Sequence, residues 1–510
     1  MALKKLAISA AVLSVSRATQ AAASFLTLPL LARLLAPEQF GLVALAMSFV
    51  LFTMAFADAG MGQSLVRTPP ERREVWSSAF WMIAALSASL SVLLLVVAYP
   101  AAWVFNQPDL APVVMALAPL PLLQGMLSPV IADLQQREKF PQQALAEFSG
   151  SAFGIVMAIV VAVNGGGAWA LVGQQLAYIT VKAAVLISFT RFRPQFVLSL
   201  KDLDAHIRFG RDTAGWSLIN FVARQVDPLV IAKMIGASAL GLYSMAYRLM
   251  SLPSYMFGGP IQNTLYTRMV RLRDDVPALR SLVLIASRAM ASFLFPPMAM
   301  LAVTATPFIK VFLSERWMPM APLLAAMAPV GGLFAVLGLN GPLLMATGRT
   351  DLRLKLSYEY TAIWIVAVLA LATQGITAVA IGYSVVFLAY TPRLLQLFLQ
   401  PIDGGVREYL RAISVPTLVS AGLVLAHLAA TAVLPPLAPW VEMGLAVSEV
   451  LIGYGLIAWA LHGRLNQDIR TLRSVLRSRE TPAEAQAEAA FATQRIVAPA
   501  ASRPLQEQEG

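Results

Sequence analysis

LLARLLAPEQFGL (Leu30–Leu42) and VIAKMIGASALGL (Val230–Leu242) lie 200 residues apart and follow one pattern. Each has an apolar run, a single cation and, eight residues after that cation, a glycine followed by leucine. A second pair comes in the same order at an offset of 210: APVVMALAP (Ala111–Pro119) and APLLAAMAP (Ala321–Pro329). One such match in a chain rich in alanine and leucine means little. Two in order, at equivalent hairpins, mark an internal repeat.

What the repeat builds depends on what separates its copies. Of 510 residues, 58% are hydrophobic and 13% charged, and the mean hydropathy is +0.70. Soluble domains have about 45–50% apolar and about 25% charged residues, so lipid must solvate most of this chain. Windows of about 19 residues place spans at 9–32, 40–66, 75–100, 111–134, 143–164, 168–189, 212–234, 239–265, 281–306, 320–346, 356–374, 376–400, 409–433 and 438–461. The eleventh and twelfth are divided only by a turn at Gln374 and Gly375.

The repeat starts at the first and the seventh span. Six spans intervene, an even number, so both copies face the same way. The expected fold is all-α: a polytopic membrane protein of about fourteen transmembrane helices, as two parallel six-helix lobes plus two extra helices. Residues 1–200 and 201–403 form the lobes, 404–463 the extra pair, and 464–510 a cytoplasmic tail. In that tail Leu465, Ile469, Leu472 and Leu476 recur beside Arg470, Arg473 and Arg477, as in an amphipathic helix on the inner surface. Beyond Thr481 the composition is that of a disordered segment. Transporters that rock one half against the other are built from such repeats, with the substrate between the halves.

Loop charges set the orientation. The connections on one side hold Arg33, Lys233, Lys310 and Arg316, while those on the other hold most of the 38 Lys and Arg residues, among them Arg67, Arg72, Arg73, Arg268 and Arg271. The positive-inside rule therefore puts both termini in the cytoplasm. It also accounts for the net charge of +11 without nucleic acid as a partner.

Charges within spans cost about 2.5–3.5 kcal/mol each and usually face a cavity. Arg17 and Arg248 lie deep, with no acid on the same helix face, and Arg224 joins them three residues before Asp227. Arg224 and Asp227 either neutralise each other or line a cavity; Asp58, before Gly60 and Gly62, either caps its helix or serves a cavity. Glu147, Lys182, Arg288, Glu442 and Glu449 are further charges inside spans. Guanidinium groups in a low-dielectric cavity bind phosphate oxygens in forked pairs, so the arginines Arg17, Arg224 and Arg248 point to an anionic substrate. Gln20, Asn220, Gln225, Gln262 and Asn263 either line that cavity or hydrogen-bond between helices.

The absence of cysteine excludes thiolate catalysis and zinc–thiolate sites. His206, His427 and His462 are too scattered to suggest a metal, and no cofactor is expected. Asp202-Leu203-Asp204 is formally a nucleotide-sugar motif, but no Rossmann-like pattern stands behind it.

Leu31–Leu42 followed by Phe56–Gly60 resembles the opening hairpin of bacterial polysaccharide flippases of the Wzx type. Gln136–Phe140, Asp227–Tyr247, Trp317–Pro322 and Leu343–Gly348 are similar to the same family. The likeness spans most of 10–460 and is nearest the colanic-acid and exopolysaccharide exporter branch. It implies the multidrug/oligosaccharidyl-lipid/polysaccharide superfamily. It also implies a substrate, a polyprenyl-diphosphate-linked oligosaccharide, carried across the bacterial inner membrane by alternating access for exopolysaccharide, capsule or O-antigen synthesis. Membrane lipids and polysaccharide polymerase or assembly proteins are the implied partners, with the extra helices offering a groove for the lipid tail. A multidrug exporter of the same superfamily, and a scaffold or glycosyl-transfer enzyme of polysaccharide assembly, are the alternatives. Transport accounts best for buried charges on a repeat.

Overall fold

The computed structural model describes residues 27–58, 60–66, 68, 72–197, 199, 221, 225–254 and 259–463, and every regular element among them is helical. Helix α1 (27–34) turns at 35–36 into α2 (Pro37–Met54). Pro37 opens α2 because a first helical residue needs no N–H donor. The Gln39 side chain returns to the Ala36 N–H at 3.0 Å. The second expected span is interrupted: α2 ends at Met54, the chain bends through Asp58 and Gly60 (φ +73°), and α3 (Met61–Leu65) follows.

Then come α4 (Arg73–Phe105), α5 (Leu110–Leu117), α6 (Pro119–Gln136), α7 (Phe140–Val163) and α8 (Trp169–Phe189). The second series runs α9 (225–234), α10 (Ala237–Pro253), α11 (Gly259–Arg271), α12 (Val276–Val303) and α13 (Ala305–Phe312). After a 3₁₀ segment at Glu315–Met320 it continues with α14 (Ala321–Leu337), α15 (Asn340–Ala346), α16 (Thr350–Ala372) and α17 (Ile376–Leu399). Helices α18 (Val406–Val433) and α19 (Pro439–Ala460) complete it. Gly375, at φ +104°, makes the turn that keeps α16 and α17 separate, as the sequence suggested. The turns after α6 and α15 each need a left-handed residue, Glu138 (φ +54°) and Gly348 (φ +73°), which stand 210 positions apart.

Eleven helical stretches among the described residues are long and apolar enough to cross a membrane. The fold is therefore all-α and polytopic. Large apolar side chains such as Val96, Val366 and Leu418 point outward, each 66% exposed or more, which only lipid makes tolerable. Trp103, Trp440 and Trp459 stand exposed at helix ends, where an indole suits the membrane–water interface.

Inside, one continuous apolar cluster links α2, α5, α10, α14 and α17. Helix α7 packs on α8 through small residues four apart, Ala146, Gly150, Gly154, Ala158 and Ala162, all buried. A Cβ added at Gly150 or Gly154 would lie 2.8 Å from the Tyr178 or Gln174 carbonyl oxygen, so this is backbone-to-backbone contact. The expected amphipathic helix at 465–477 and the tail lie outside the described residues.

Candidate functional site

The two stretches matched at an offset of 200 meet in space. Helices α2 and α10 cross where Gly41 faces Gly241. A Cβ on Gly41 would stand 1.7 Å from the Ala237 carbonyl oxygen, and one on Gly241 1.8 Å from that of Pro37. Each copy of the repeat thus supplies a glycine that fits against the first turn of the other copy's helix. No other residue type allows so close an approach. The orientation expected from the loop charges would put this crossing at the outer end.

Around it the halves are tied by cations on carbonyls. Arg33 donates from Nε to the Leu313 oxygen at 3.2 Å and also to the Val311 oxygen, capping the C-terminus of α13. Lys233, its counterpart in the repeat, donates to the Val104 oxygen at the end of α4. Unsatisfied carbonyls and the helix dipole favour a cation at both places. Buried Trp317 donates from its indole to the Ala32 oxygen at 2.7 Å, with Phe40 edge-on to its ring. Two of the few outer cations thus act as equivalent clasps.

Each clasp is worth about 0.3–1 kcal/mol as a cation at a helix C-terminus. In Arg33→Ala/Lys233→Ala, a cysteine placed at Ser244, one turn inward of Gly241, is expected to react about three- to thirtyfold faster with an impermeant maleimide applied from outside. The natural chain contains no cysteine, so the background is clean. An unchanged rate would remove Arg33 and Lys233 from the closure.

Deeper in, Ser48 on α2 donates to Gln225 on α9 at 2.9 Å, and Phe52 packs edge-on against Phe221 at 5.0 Å. Gln225 therefore makes a helix-to-helix hydrogen bond here. Arg248 is exposed although Met245, Ala246, Leu249 and Met250 beside it are buried, so its side chain leaves α10 on an uncovered face. Asp227 is buried and accepts from the Tyr243 hydroxyl at 2.8 Å. Tyr247, Tyr383 and Trp364 extend that aromatic group.

Asp58 does two jobs. Its Oδ1 accepts from the Gly60 N–H at 3.0 Å, capping the break in the second span, and its Oδ2 accepts from Ser128 at 2.7 Å. It also borders a cavity of about 230 Å³ lined by Gln124, Gln135 and Ser128. Arg17, Gln20, Asn220 and Arg224 lie outside the described residues, as do Asp202, Asp204 and His206.

Other charges within spans are paired. Lys182 reaches Glu147 at 2.7 Å, and the Tyr178 hydroxyl donates to the same carboxylate at 2.5 Å. In the second copy Arg393 reaches Glu359 at 3.4 Å and Tyr390 donates to it at 3.1 Å. Glutamate and tyrosine recur at one offset, 212, and the cations that pair with them, Lys182 and Arg393, at 211. Arg288 donates to the Ala412 oxygen, joining α12 to α18. Asp133, at the inner end of α6, pairs with Arg137 and accepts from Thr190 at 2.6 Å. A contact absent from the sequence reading joins α18 to α19: His427 Nδ1 lies 2.7 Å from Glu449. The only sequence hint is Glu442 and Glu449, seven apart and so on one face of α19.

Comparison with known proteins fits these observations. The succinoglycan biosynthesis transport protein ExoT of Rhizobium meliloti (strain 1021) is 28% identical over 358 residues, 70% of each chain. The lipopolysaccharide biosynthesis protein WzxC of Escherichia coli (strain K12) is 25% identical, covering 76% of this chain and 81% of that one. In fold, the chain is similar to the lipid II flippase MurJ in its inward closed conformation. The TM-score is 0.69 at 14% identity, over 89% of this chain and 99% of that one. An inward-facing multidrug transporter of the MATE family gives a TM-score of 0.57 at 15% identity, over 81% and 98%. The pattern of the family described as polysaccharide biosynthesis protein matches residues 30–322. That is more than half of the chain, and the chain belongs to this family.

Proposed function

We propose that this protein moves a polyprenyl-diphosphate-linked oligosaccharide from the cytoplasmic to the outer leaflet of a bacterial inner membrane by alternating access. It spans the membrane fourteen times with both termini in the cytoplasm. Residues 1–200 and 201–403 are the parallel six-helix lobes, 404–463 the extra pair and 464–510 the cytoplasmic tail. The observation that carries this reading is the Gly41–Gly241 crossing. Equivalent points of the two copies touch at the outer end, as a transporter closed to the outside requires, with Arg248 displayed deeper on α10.

In this reading Arg17, Arg224 and Arg248 receive the diphosphate, while Gln20, Asn220 and Gln225 line the path for sugar hydroxyls. Asp58 and Asp227 are the carboxylates placed to couple transport to an ion gradient or to shape the cavity. The relatives named for succinoglycan and lipopolysaccharide biosynthesis support a saccharide cargo. The likeness to a multidrug transporter extends to fold alone.

The test is flipping in proteoliposomes that hold a fluorescent polyprenyl-diphosphate oligosaccharide, with protein-free vesicles as control. Protein-dependent loss of protection from an added quencher is the expected result. No movement under any imposed pH, sodium or voltage gradient, with drug cations extruded instead, would replace this reading with the multidrug exporter.

A further inference from the structure

Helices α18 and α19 fall outside the repeat, yet they bury an ionisable group that the two-lobe reading does not use. His427 is 1% exposed, on the outer part of α18. Its Nδ1 is hydrogen-bonded to Glu449 Oε2 at 2.7 Å. Its Nε2 is buried, has no hydrogen-bond partner, and points toward Glu442 Oε1 at 3.8 Å. Glu442 occupies the first turn of α19, where the helix dipole favours an anion, and its side chain is 24% exposed. Glu449 lies two turns deeper, about 10 Å along the helix, and is 9% exposed.

Apolar side chains pack beside this trio, and the Thr431 hydroxyl donates to the His427 carbonyl oxygen. Met300 and Val303 come from α12, Leu423 from α18, and Ala446 and Val450 from α19. The charged groups on the neighbouring helices lie elsewhere. Arg288 of α12 is held at Ala412, fifteen residues toward the inner end. Lys310 of α13 is exposed, and Arg393 of α17 is engaged by Glu359. Among the described residues, His427 is the group ion-paired with both Glu442 and Glu449, and no lysine or arginine is paired with either. A buried ring nitrogen that faces a carboxylate from beyond hydrogen-bond reach is unsatisfied.

We infer that His427, Glu442 and Glu449 form a proton-binding site, separate from the space between the lobes and loaded from the outer side. In the unloaded site one proton is shared in the Nδ1···Oε2 bond and Nε2 carries none. A proton arriving by way of partly exposed Glu442 adds to Nε2. The ring becomes an imidazolium that donates from both nitrogens. The gap to Glu442 then closes to hydrogen-bond distance, and the cluster gains one positive charge. No electron moves and no bond breaks other than to the incoming proton. Loading ties the N-terminal turn of α19 to α18, so the seam between these helices is tightest when the site is occupied.

The experiment uses the full chain in lipid nanodiscs with isotope-labelled histidine. Substituting His206→Gln and His462→Gln leaves His427 as the sole signal, since the chain has three histidines. Nitrogen and carbon shifts are followed between about pH 5 and 9, the range in which an imidazole changes charge. The expected result is a neutral ring carrying its proton on Nδ1 at the alkaline end and a doubly protonated ring at the acid end, reversibly. Glu442→Gln is expected to move the midpoint by at least one pH unit, a tenfold change in proton affinity. A ring fixed in one protonation state throughout would overturn the proposal, and so would a neutral form protonated on Nε2. The unsubstituted carboxylates suffice for both of those outcomes, so they do not depend on how Glu442→Gln folds. A midpoint unmoved in correctly folded Glu442→Gln would also overturn it. None of these readouts involves the cargo, so failure here leaves the transport reading untouched.

Discussion

Gly41→Val will hold α2 off α10 and abolish closure at the outer end, and export will stop with it. The β-carbon alone would sit 1.7 Å from the Ala237 carbonyl oxygen and 2.8 Å from the Gly241 nitrogen, both backbone atoms that no rotamer change removes. Overpacking of this kind costs about 1–3 kcal/mol or more. Because only the closed arrangement brings the helices together, the cost falls on that state. At the upper figure the closed population falls roughly a hundredfold relative to the open one. Spin labels on cysteines at Glu38 and Ser238, both exposed near the crossing, report the separation. The expected distribution moves to longer distances. Gly422→Val is the matched control, since nothing lies within 4 Å of a Cβ added there, and it should change neither distance nor export. A Gly41→Val protein with the parent's distances and activity would mean that the crossing does not gate transport.

The second large effect is expected at Arg248. Its side chain is exposed while its neighbours on α10 are buried, so Arg248→Ala removes the guanidinium without opening a cavity in the apolar core. Charge-assisted hydrogen bonds contribute about 1.5–3 kcal/mol, and losing a forked pair to a diphosphate should slow flipping by about a hundredfold. Arg248→Lys keeps the charge but not the fork, and recovery to within about tenfold of the parent is expected. Initial rates in the proteoliposome assay decide the matter. Equal rates for Arg248→Ala and the parent would defeat the cationic-cavity reading at this position.

Much of the fold was legible because lipid imposes a one-dimensional rule: an apolar stretch of sufficient length must span. The α16–α17 division, resting on Gln374 and Gly375, came through for that reason. The repeat was legible where backbone approach forces a residue type, as at Gly41 and Gly241. It was invisible where the second copy keeps a contact but not a pattern. The Glu147–Tyr178 and Glu359–Tyr390 pairs share an offset, yet each stands amid interchangeable apolar residues that carry no alignment signal. Lys182 in one copy and Arg393 in the other blur it further. Partnerships between helices were the hardest to read. His427 and Glu449 belong to different helices, and nothing in hydropathy fixes the rotation of one against the other. The break at Asp58 was half legible: the glycines after it suggested a cap, but the bond to Ser128 needs the fold.

The small-residue seam of α7 and α8 bears on biogenesis. Ala146, Gly150, Gly154, Ala158 and Ala162 have no rotamers to freeze, and only residues 164–168 separate the two helices. Contacts this local form quickly, and they freeze no side-chain entropy on the α7 face. As the chain leaves the translocation machinery, α7 and α8 are the neighbours able to zip together before any later helix arrives. The hairpin can close as soon as α8 emerges, offering the helices inserted before it a preformed surface to pack on.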